Sequence, residues 1–457
     1  MIIPSRFVIF TVIMYRAHKF PKHLHGGALL FALLLSLLLA VTTGALFLLL
    51  RYHQQYAADL LREERLQQNL ASAVNLLITA ETTDDIDTAR ISLFDGKQDS
   101  VILIQKPWGI FDVGIACAFE QRDSLQQAFM IGRVPKDAEK YALYLADEYR
   151  PISISGDTRI RGDAYLPEAG IRKAYIENRA YTGEEVIFDG TILQSTPTLP
   201  PLNDAIIARL SPYLQPDESP GWQRNARDWF ADPTTDSIQV PFAEPVLLLH
   251  AQDSLAIDGQ TVRGQVLLVS DKSITVKASA TLDNVLLFAP TIRFAAGFRG
   301  RVQAFARDSL FVGNDCRFGY PSALGLVNLP NDSVVYEFQP FIQIDSASVV
   351  NGLVFSHYPG SEQLLAMIRI APDATVHGQV YADGLLELQG TVYGITACRR
   401  FTLQTPSSLY ENFILDGVMD GTRLSPYYGG SPLLHTGRLG NVLTWLDKER
   451  DQSTMNP

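Results

Sequence analysis

Residues 264–312 read, in three successive pieces, GQVLLVSDKSITVKASA, TLDNVLLFAPTIRFAAGF and RGRVQAFARDSLFV, and the way these pieces align decides the fold. Ile274-Thr275-Val276, Ile292-Arg293-Phe294 and Leu310-Phe311-Val312 recur at steps of 18 residues. Val266 to Val269, Val285 to Phe288 and Val302 to Phe305 recur beside them at steps of 19 and 17. Two tracks repeating in the same order are what a β-solenoid requires, because each coil buries its apolar side chains on the coil below. Gly264, Leu282 and Gly300 share the period and are expected at the corners between strands.

Working outward, further rungs are expected at Phe341–Ile344, Val349–Phe355, Ile368–Ile370, Val376–Tyr381, Leu385–Leu388 and Val392–Ile395. Turn formers (Asp345, Asn351-Gly352, Gly378, Asp383-Gly384, Gly390, Gly394) punctuate them. This defines a main solenoid over 236–424, and Ile152–Ile154, Ile160 and Val186–Gly190 extend it as a first segment over 151–202. Between the two lies a helix and linker over 203–235, where the proline-rich TPTLPPL run precedes Asn203, a cap for a short helix through Tyr213. Residues 425–457 are expected to cap the stack, since repeat arrays need an atypical end.

Toward the amino end, Ala28 to Leu50 (ALLFALLLSLLLAVTTGALFLLL) carries no charge and is long enough, at about 1.5 Å per residue, to cross about 30 Å of hydrocarbon as a helix. A cleaved secretory signal has a shorter apolar region, and no small-residue cleavage motif with a turn follows Leu50. The flanks orient the span. Arg6, Arg16, Lys19 and Lys22 precede it without an acid, whereas Asp59, Glu63 and Glu64 follow, so residues 1–27 form a basic cytoplasmic leader. Met14 is a second candidate start. Residues 51–80 contain neither Pro nor Gly, and Leu66, Leu70, Val74 and Leu77 form one helical stripe, so the helix continues beyond the bilayer to the break at Thr82–Asp85. Over 81–150 short apolar runs (Ile91–Phe94, Val101–Gln105, Ile110–Phe119, Leu125–Ile131) separated by turn signals predict a small antiparallel sheet packed on that helix.

The sequence therefore predicts a mainly β protein: a transmembrane helix extended outside the membrane, a small antiparallel sheet and a β-solenoid. Its 457 residues are 47% hydrophobic and 19% charged, which excludes a disordered chain. The formal net charge is −11, and removing the four basic residues of the leader leaves −15 on the rest, which argues against nucleic acid or anionic lipid as partners of the outer part.

No catalytic or cofactor fingerprint is present, so no catalytic residue, cofactor or metal is assigned. Asp308, Asp315, Arg317 and Asp345 are the positions at which a solenoid enzyme would place charged groups, and as corner residues they equally suit solvated turns. His23 and His25 are too few ligands for a metal, and Arg161-Gly162-Asp163 lies where a turn is needed. Trp108 reads as a core aromatic. Cys117, Cys316 and Cys398 are expected as buried thiols, with one disulfide left open.

The leader and helix, Lys22-His23-Leu24-His25-Gly26 before Gly27-Ala28-Leu29-Leu30-Phe31, followed by antiparallel strands, resemble the large minor members of the type IV pilin and type II secretion pseudopilin superfamily. The resemblance implies cleavage by a prepilin peptidase between Gly26 and Gly27, membrane lipid around residues 28–50, and other envelope or pilin-like proteins as partners. A bacterial inner membrane fits the apolar helix, since outer membranes mainly take barrels, and the flanks place the amino end in the cytoplasm and the bulk in the periplasm or outside the cell. Most members carry Glu at the fifth mature position; Phe31 stands there in this chain, and some minor pseudopilins also lack that Glu. A plain signal anchor is the alternative at the amino end, and an anchored β-helix carbohydrate-active enzyme or polysaccharide-binding protein is the alternative for the whole.

Overall fold

The structure, a computed structural model, describes residues 27–79, 88–93, 99–120, 123–214, 227–228, 237–328, 338–359, 364–435, 437 and 440–446. The leader, with Gly26, His23 and His25, and the expected break at Thr82–Asp85 lie outside these residues. The chain divides into two units, residues 1–65 and 66–457.

Helix α1 spans Gly27–Thr79, 53 residues. Its first part is long and apolar enough to cross a membrane. In the second unit its end buries Leu66, Leu70, Ala73, Val74 and Leu77, which includes the whole stripe predicted from spacing. The partner is an antiparallel sheet of β1 (Ala89–Ile91), β2 (Asp99–Trp108), β3 (Phe111–Glu120), β4 (Asp123–Arg133) and β5 (Gly440–Trp445). Val101, Leu103, Ala116, Ala118, Phe129 and Ile131 complete this core, and each fully buried leucine of the helix is worth roughly 1.5–3 kcal/mol.

β5 corrects the expectation for the carboxyl-terminal region. Rather than capping the solenoid, Gly440 pairs with Arg133 and Trp445 with Phe129, on the free edge of β4. An unpaired sheet edge leaves a row of backbone groups unsatisfied, and the last described strand of the chain fills it. Everything between 134 and 439 is therefore inserted between two neighbouring strands of the small sheet.

The insertion is a parallel solenoid of three ladders. Ladder A runs through Val266–Ser270, ladder B through Ser273–Val276, and ladder C through Thr261–Gly264. The predicted register holds: Ile274 pairs with Ile292 and Ile292 with Leu310, while Val285 pairs with Val302. The later rungs are present as strands Phe341–Ile344, Val349–His357, Met367–Ile370, Thr375–Leu388 and Thr391–Gln404. Leu282 and Gly300, both expected at corners, are instead paired with each other inside ladder C, Leu282 buried and paired also with Val262, Gly300 with Phe318. That coil takes 20 residues rather than 18, so Asn284, with φ of 60°, holds the corner that Gly264 holds one coil earlier.

Stack order departs from chain order. The first segment starts at Leu143 rather than near 151, and it extends the far end of the main solenoid. Leu143–Leu145 pairs with Thr396–Cys398, Val418–Asp420 with Arg159–Arg161, and Phe413–Leu415 with Ser153–Ser155. One coil is thus composite, closed by pieces more than 250 residues apart. Glu148 fastens the junction, accepting from Arg399 Nε at 2.9 Å and Arg400 Nε at 2.7 Å. Although burial acts to raise its pKa, the hydrogen bonds from Arg400 and Arg399 outweigh it and hold the carboxyl below its ordinary value. After Gln194 the chain returns along ladder A to start the first coil. Helix α2 (Asp204–Leu214) lies on this return, with Asn203 Oδ1 accepting from the Ala205 N–H at 3.1 Å as the sequence predicted.

Ladder A is buried on both sides. Inward, Leu268, Leu287, Ala304, Leu324 and Val354 fill the solenoid. Outward, Leu267, Leu286, Phe288, Phe305 and Phe355 pack beneath α2 and the β2–β3 hairpin, Trp108 included. This is why its rungs read as unbroken apolar runs rather than alternating ones.

At the corner between ladders C and A, Gly352, Gly378 and Gly394 stack with φ of 144°, 136° and 145°. A Cβ on Gly378 would lie 2.1 Å from the Gly352 carbonyl oxygen. Gly378→Ala is expected to cost about 3 kcal/mol or more in denaturant unfolding. Gly319→Ala, whose Cβ meets nothing nearer than 3.8 Å, should change stability by under about 1 kcal/mol.

Candidate functional site

Two kinds of surface distinguish this chain, an uncovered apolar helix and cavities along the solenoid. On the helix, Leu29 to Leu50 are exposed, from Leu29 at 73% to Leu50 at 53%. The few polar side chains there need no outside partner. Ser36 donates to Leu33 O, Thr42 to Leu39 O and Thr43 to Leu39 O, at 2.9, 3.0 and 2.7 Å. A segment whose polar groups are all satisfied by its own helix suits a surrounding without water.

On the outer side of ladder A, a cavity of about 200 Å³ opens where three distant segments meet. Tyr141, Tyr144 and Tyr165 line one wall, with Tyr144 and Tyr165 stacked at 5.2 Å. Tyr381 faces them and donates to Pro200 O at 2.9 Å. Burial pushes the Tyr141 and Tyr381 hydroxyls well above the ordinary tyrosine value, so both are donors at any physiological pH. The floor is polar. His435 Nδ1 lies 2.7 Å from Glu139 Oε2, and His435 Nε2 meets the Gln379 amide nitrogen. With that nitrogen donating, His435 carries its proton on Nδ1 and gives it to Glu139. Burial acts against the Glu139 charge, and the bonds from His435 and the Lys136 N–H outweigh it, so its carboxyl stays below the usual range. Gln379 Oε1 is buried and has no hydrogen-bond partner among the described residues.

None of Glu139, Gln379 and His435 was singled out from the sequence, because 56 and 296 residues separate the hydrogen-bonded pairs. A signal did exist: Gln379 interrupts an apolar rung, as Gln303 does three coils earlier in the same outward column.

Of the residues weighed from sequence, Asp315, Arg317 and Asp345 are neighbours around Cys316, since the Asp315 N–H donates to Ser346 O at 3.2 Å. Asp308 pairs with Arg307 at 3.0 Å, Asp315 with Arg317 at 3.1 Å, and Asp345 accepts from Gln343 at 2.7 Å, each a local arrangement at a corner. Arg161 is tied to Asp189 at 2.6 Å, and Asp163 accepts from the Thr191 N–H and hydroxyl, so the Arg-Gly-Asp tripeptide is held in a turn. Trp108 is buried, donates to Asn284 O at 3.2 Å and meets Phe242 edge-on, as the core reading expects. All three cysteines are free; Cys316 and Cys398 are buried and Cys117 is partly so. Burial drives the Cys398 thiol well above its ordinary pKa, which makes it inert.

Among carboxylates the most perturbed is Asp383, raised to about 6 chiefly by burial, with hydrogen bonds from the Tyr358 N–H and Ser356 hydroxyl acting the other way. His357 Nδ1 is 3.9 Å away. A Ser, a His and an Asp therefore meet here, but Ser356 donates directly to Asp383 at 3.0 Å rather than to the imidazole. The hydroxyl is not activated for attack, because nucleophilic serine needs a base to take its proton.

No family model, no curated protein and no solved structure matches this chain.

A carboxyl raised in the folded state contributes stability that is present below its unfolded value and lost as pH rises through the folded one. For Asp383 that window runs from the ordinary 3.8 to about 6. Asp383→Asn keeps acceptors for Ser356 and Tyr358 and should abolish this component. Urea unfolding between pH 4 and 7 is expected to show a smaller pH-dependent loss of stability in the variant than in the parent.

Proposed function

We propose that this chain is a pilin-like subunit of a bacterial envelope filament or secretion apparatus, anchored in the inner membrane by residues 28–50, which displays its solenoid outside the cytoplasm. The observation that carries the reading is the division of labour along α1. One stretch has apolar side chains exposed and polar ones self-satisfied, and the other buries Leu66, Leu70, Val74 and Leu77 against an antiparallel sheet. A helix that anchors at one end and is built into a sheet at the other transmits position from membrane to domain. The insertion of the solenoid between β4 and β5 adds support, since both its ends leave from adjacent strands and the anchor sheet closes without it. In this reading the action is through contacts rather than catalysis, and Gly26 and Gly27 flank the bond a prepilin peptidase would cut. A membrane-anchored carbohydrate-binding or carbohydrate-cleaving protein is the second reading, favoured by the polar groove on ladder C described below.

The deciding measurement is the mass and amino-terminal sequence of the protein from membranes of cells with and without a prepilin peptidase. Gly27 at the amino end only when the peptidase is present is the expected result. Met1 or Met14 retained in both strains would leave a signal anchor in place of a pilin-like one.

A further inference from the structure

The side of ladder C away from the sheet carries a polar groove of about 450 Å³, and every segment that builds it is described. Its floor is formed by successive rungs in register: Tyr393 pairs with Asp420, Asp420 with Arg161, and Arg161 with Phe188. Beside them, Val418 pairs with Arg159. Val392, Met419 and Ile160 alternate inward and are fully buried, so the rungs are rigid and their outward side chains are held at the ladder spacing of about 4.8 Å. Tyr393 to Phe188 spans three such steps, about 14 Å. A surface repeating at that interval suits a polymer better than a compact ligand.

The charges in the groove are unequally committed. Asp420 accepts from the Thr422 N–H at 3.0 Å and its hydroxyl at 2.6 Å, and Asp157 from the Thr182 hydroxyl at 2.6 Å. Arg161 is paired with Asp189, and Arg423 lies over the Tyr393 ring at 4.5 Å with Asp420 3.7 Å from its Nε. The Arg159 backbone is fixed by its N–H donating to Gly417 O at 3.0 Å, while its side chain is exposed and makes no hydrogen bond or ion pair among the described residues. The lining thus holds three guanidinium groups against two carboxylates, in a protein whose net charge is −11. The acids are occupied by local donors, and the guanidinium left uncommitted among the lining arginines is that of Arg159, with Arg423 held more loosely beside it. Guanidinium binds carboxylate through paired N–H groups, and Phe188 adds an apolar surface beside them.

We infer that this groove binds a short stretch of acidic polysaccharide, with a sugar carboxylate held by Arg159 and Arg423. Sparse charge, one carboxylate every sugar or two, matches a lining in which one guanidinium, that of Arg159, is left without an ion pair; the dense charge of nucleic acid does not. The inference goes beyond the anchoring role and stands or falls independently of leader cleavage.

The test uses the full chain in detergent micelles and calorimetric titration with an oligogalacturonate, a dextran oligomer of the same length and inorganic phosphate. Oligogalacturonate is expected to bind with an affinity that falls as salt rises, and dextran and phosphate to bind far more weakly. Arg159→Ala should weaken binding at least about tenfold, the loss of one charge-assisted contact, and Arg159→Lys should restore part of it. Arg423→Ala provides a second variant should the first fail to fold, and Arg317→Ala, at a corner outside the groove, should leave affinity unchanged. No binding of oligogalacturonate, equal binding of dextran, phosphate binding as tightly as the oligomer, or affinity unmoved by the foldable Arg159 and Arg423 variants would overturn the inference.

Discussion

The outer side of ladder A must be kept from water, and the rest of the second unit is arranged around that need. Leu267, Leu286, Phe288, Phe305 and Phe355 point away from the solenoid interior yet are buried. At roughly 25 cal/mol per Å² of apolar surface, leaving such a row exposed would offset much of what the stack gains. The β2–β3 hairpin, α2 and the segment after Arg423 share the covering. Lys106 Nζ reaches Phe242 O at 2.6 Å and Gln265 Oε1 at 2.9 Å, and Arg209 Nη1 pairs with Asp112 Oδ1 at 2.8 Å. The contacts that fix the small sheet and α2 on the solenoid are thus apolar at the centre and charged at the rim.

The same constraint explains the order of the stack. A linear solenoid would leave Thr396–Cys398 at an open end; here Leu143–Leu145 covers it and Ile152–Ser155 and Arg159–Leu166 continue the stack. The chain must then return along ladder A to begin again, and helix α2 on that return doubles as cover through Ile206, Ile207 and Leu210. The composite coil closes only when residues near 143, 159, 398 and 418 are all in place. Contacts of such sequence separation are formed late and slowly, because loop-closure entropy precedes their reward. The amino-terminal segment therefore depends for its fold on strands synthesised long after it.

What was legible in the sequence was whatever a local period could carry. Leu66, Leu70, Val74 and Leu77 gave the buried face of α1, and Ile274, Ile292 and Leu310 gave the register of ladder B, because each is set by its own neighbours. The corners at Gly264, Gly352, Gly378 and Gly394 were legible from turn chemistry rather than from a constant step. The fixed step of 18 misled at Leu282 and Gly300, where one coil lengthened by two residues. The composite coil left no trace, since three-residue rungs such as Leu143–Leu145 and Val418–Asp420 are too short to show a period and their pairing is set by tertiary closure. Residues 425–457 read as a terminal cap for the same reason: an apolar run such as the one in Gly440–Trp445 reports that it pairs, not with which edge. Neither the tyrosine-lined cavity nor the ladder C groove draws its polar residues from one stretch of chain.

Two glutamines in one outward column show how the covered ladder handles polar groups. Gln303 is 2% exposed and fully used: its Oε1 accepts from Ile110 N at 2.9 Å and its Nε2 donates to Trp108 O at 3.0 Å. A buried polar pair of this kind fixes position where apolar packing alone would tolerate sliding, and it pins the hairpin turn at Gly109, whose missing side chain is what lets Gln303 approach. Gln379, at 1%, has the same burial with one arm on His435 and the other unpartnered beside the cavity. An unpaired buried carbonyl costs roughly 1–3 kcal/mol. The chain bears that cost where His435 and Glu139 bring the carboxyl-terminal segment down onto the ladder. The polar floor is therefore the latch of that segment, and its specificity comes from the geometry of three groups rather than from buried area.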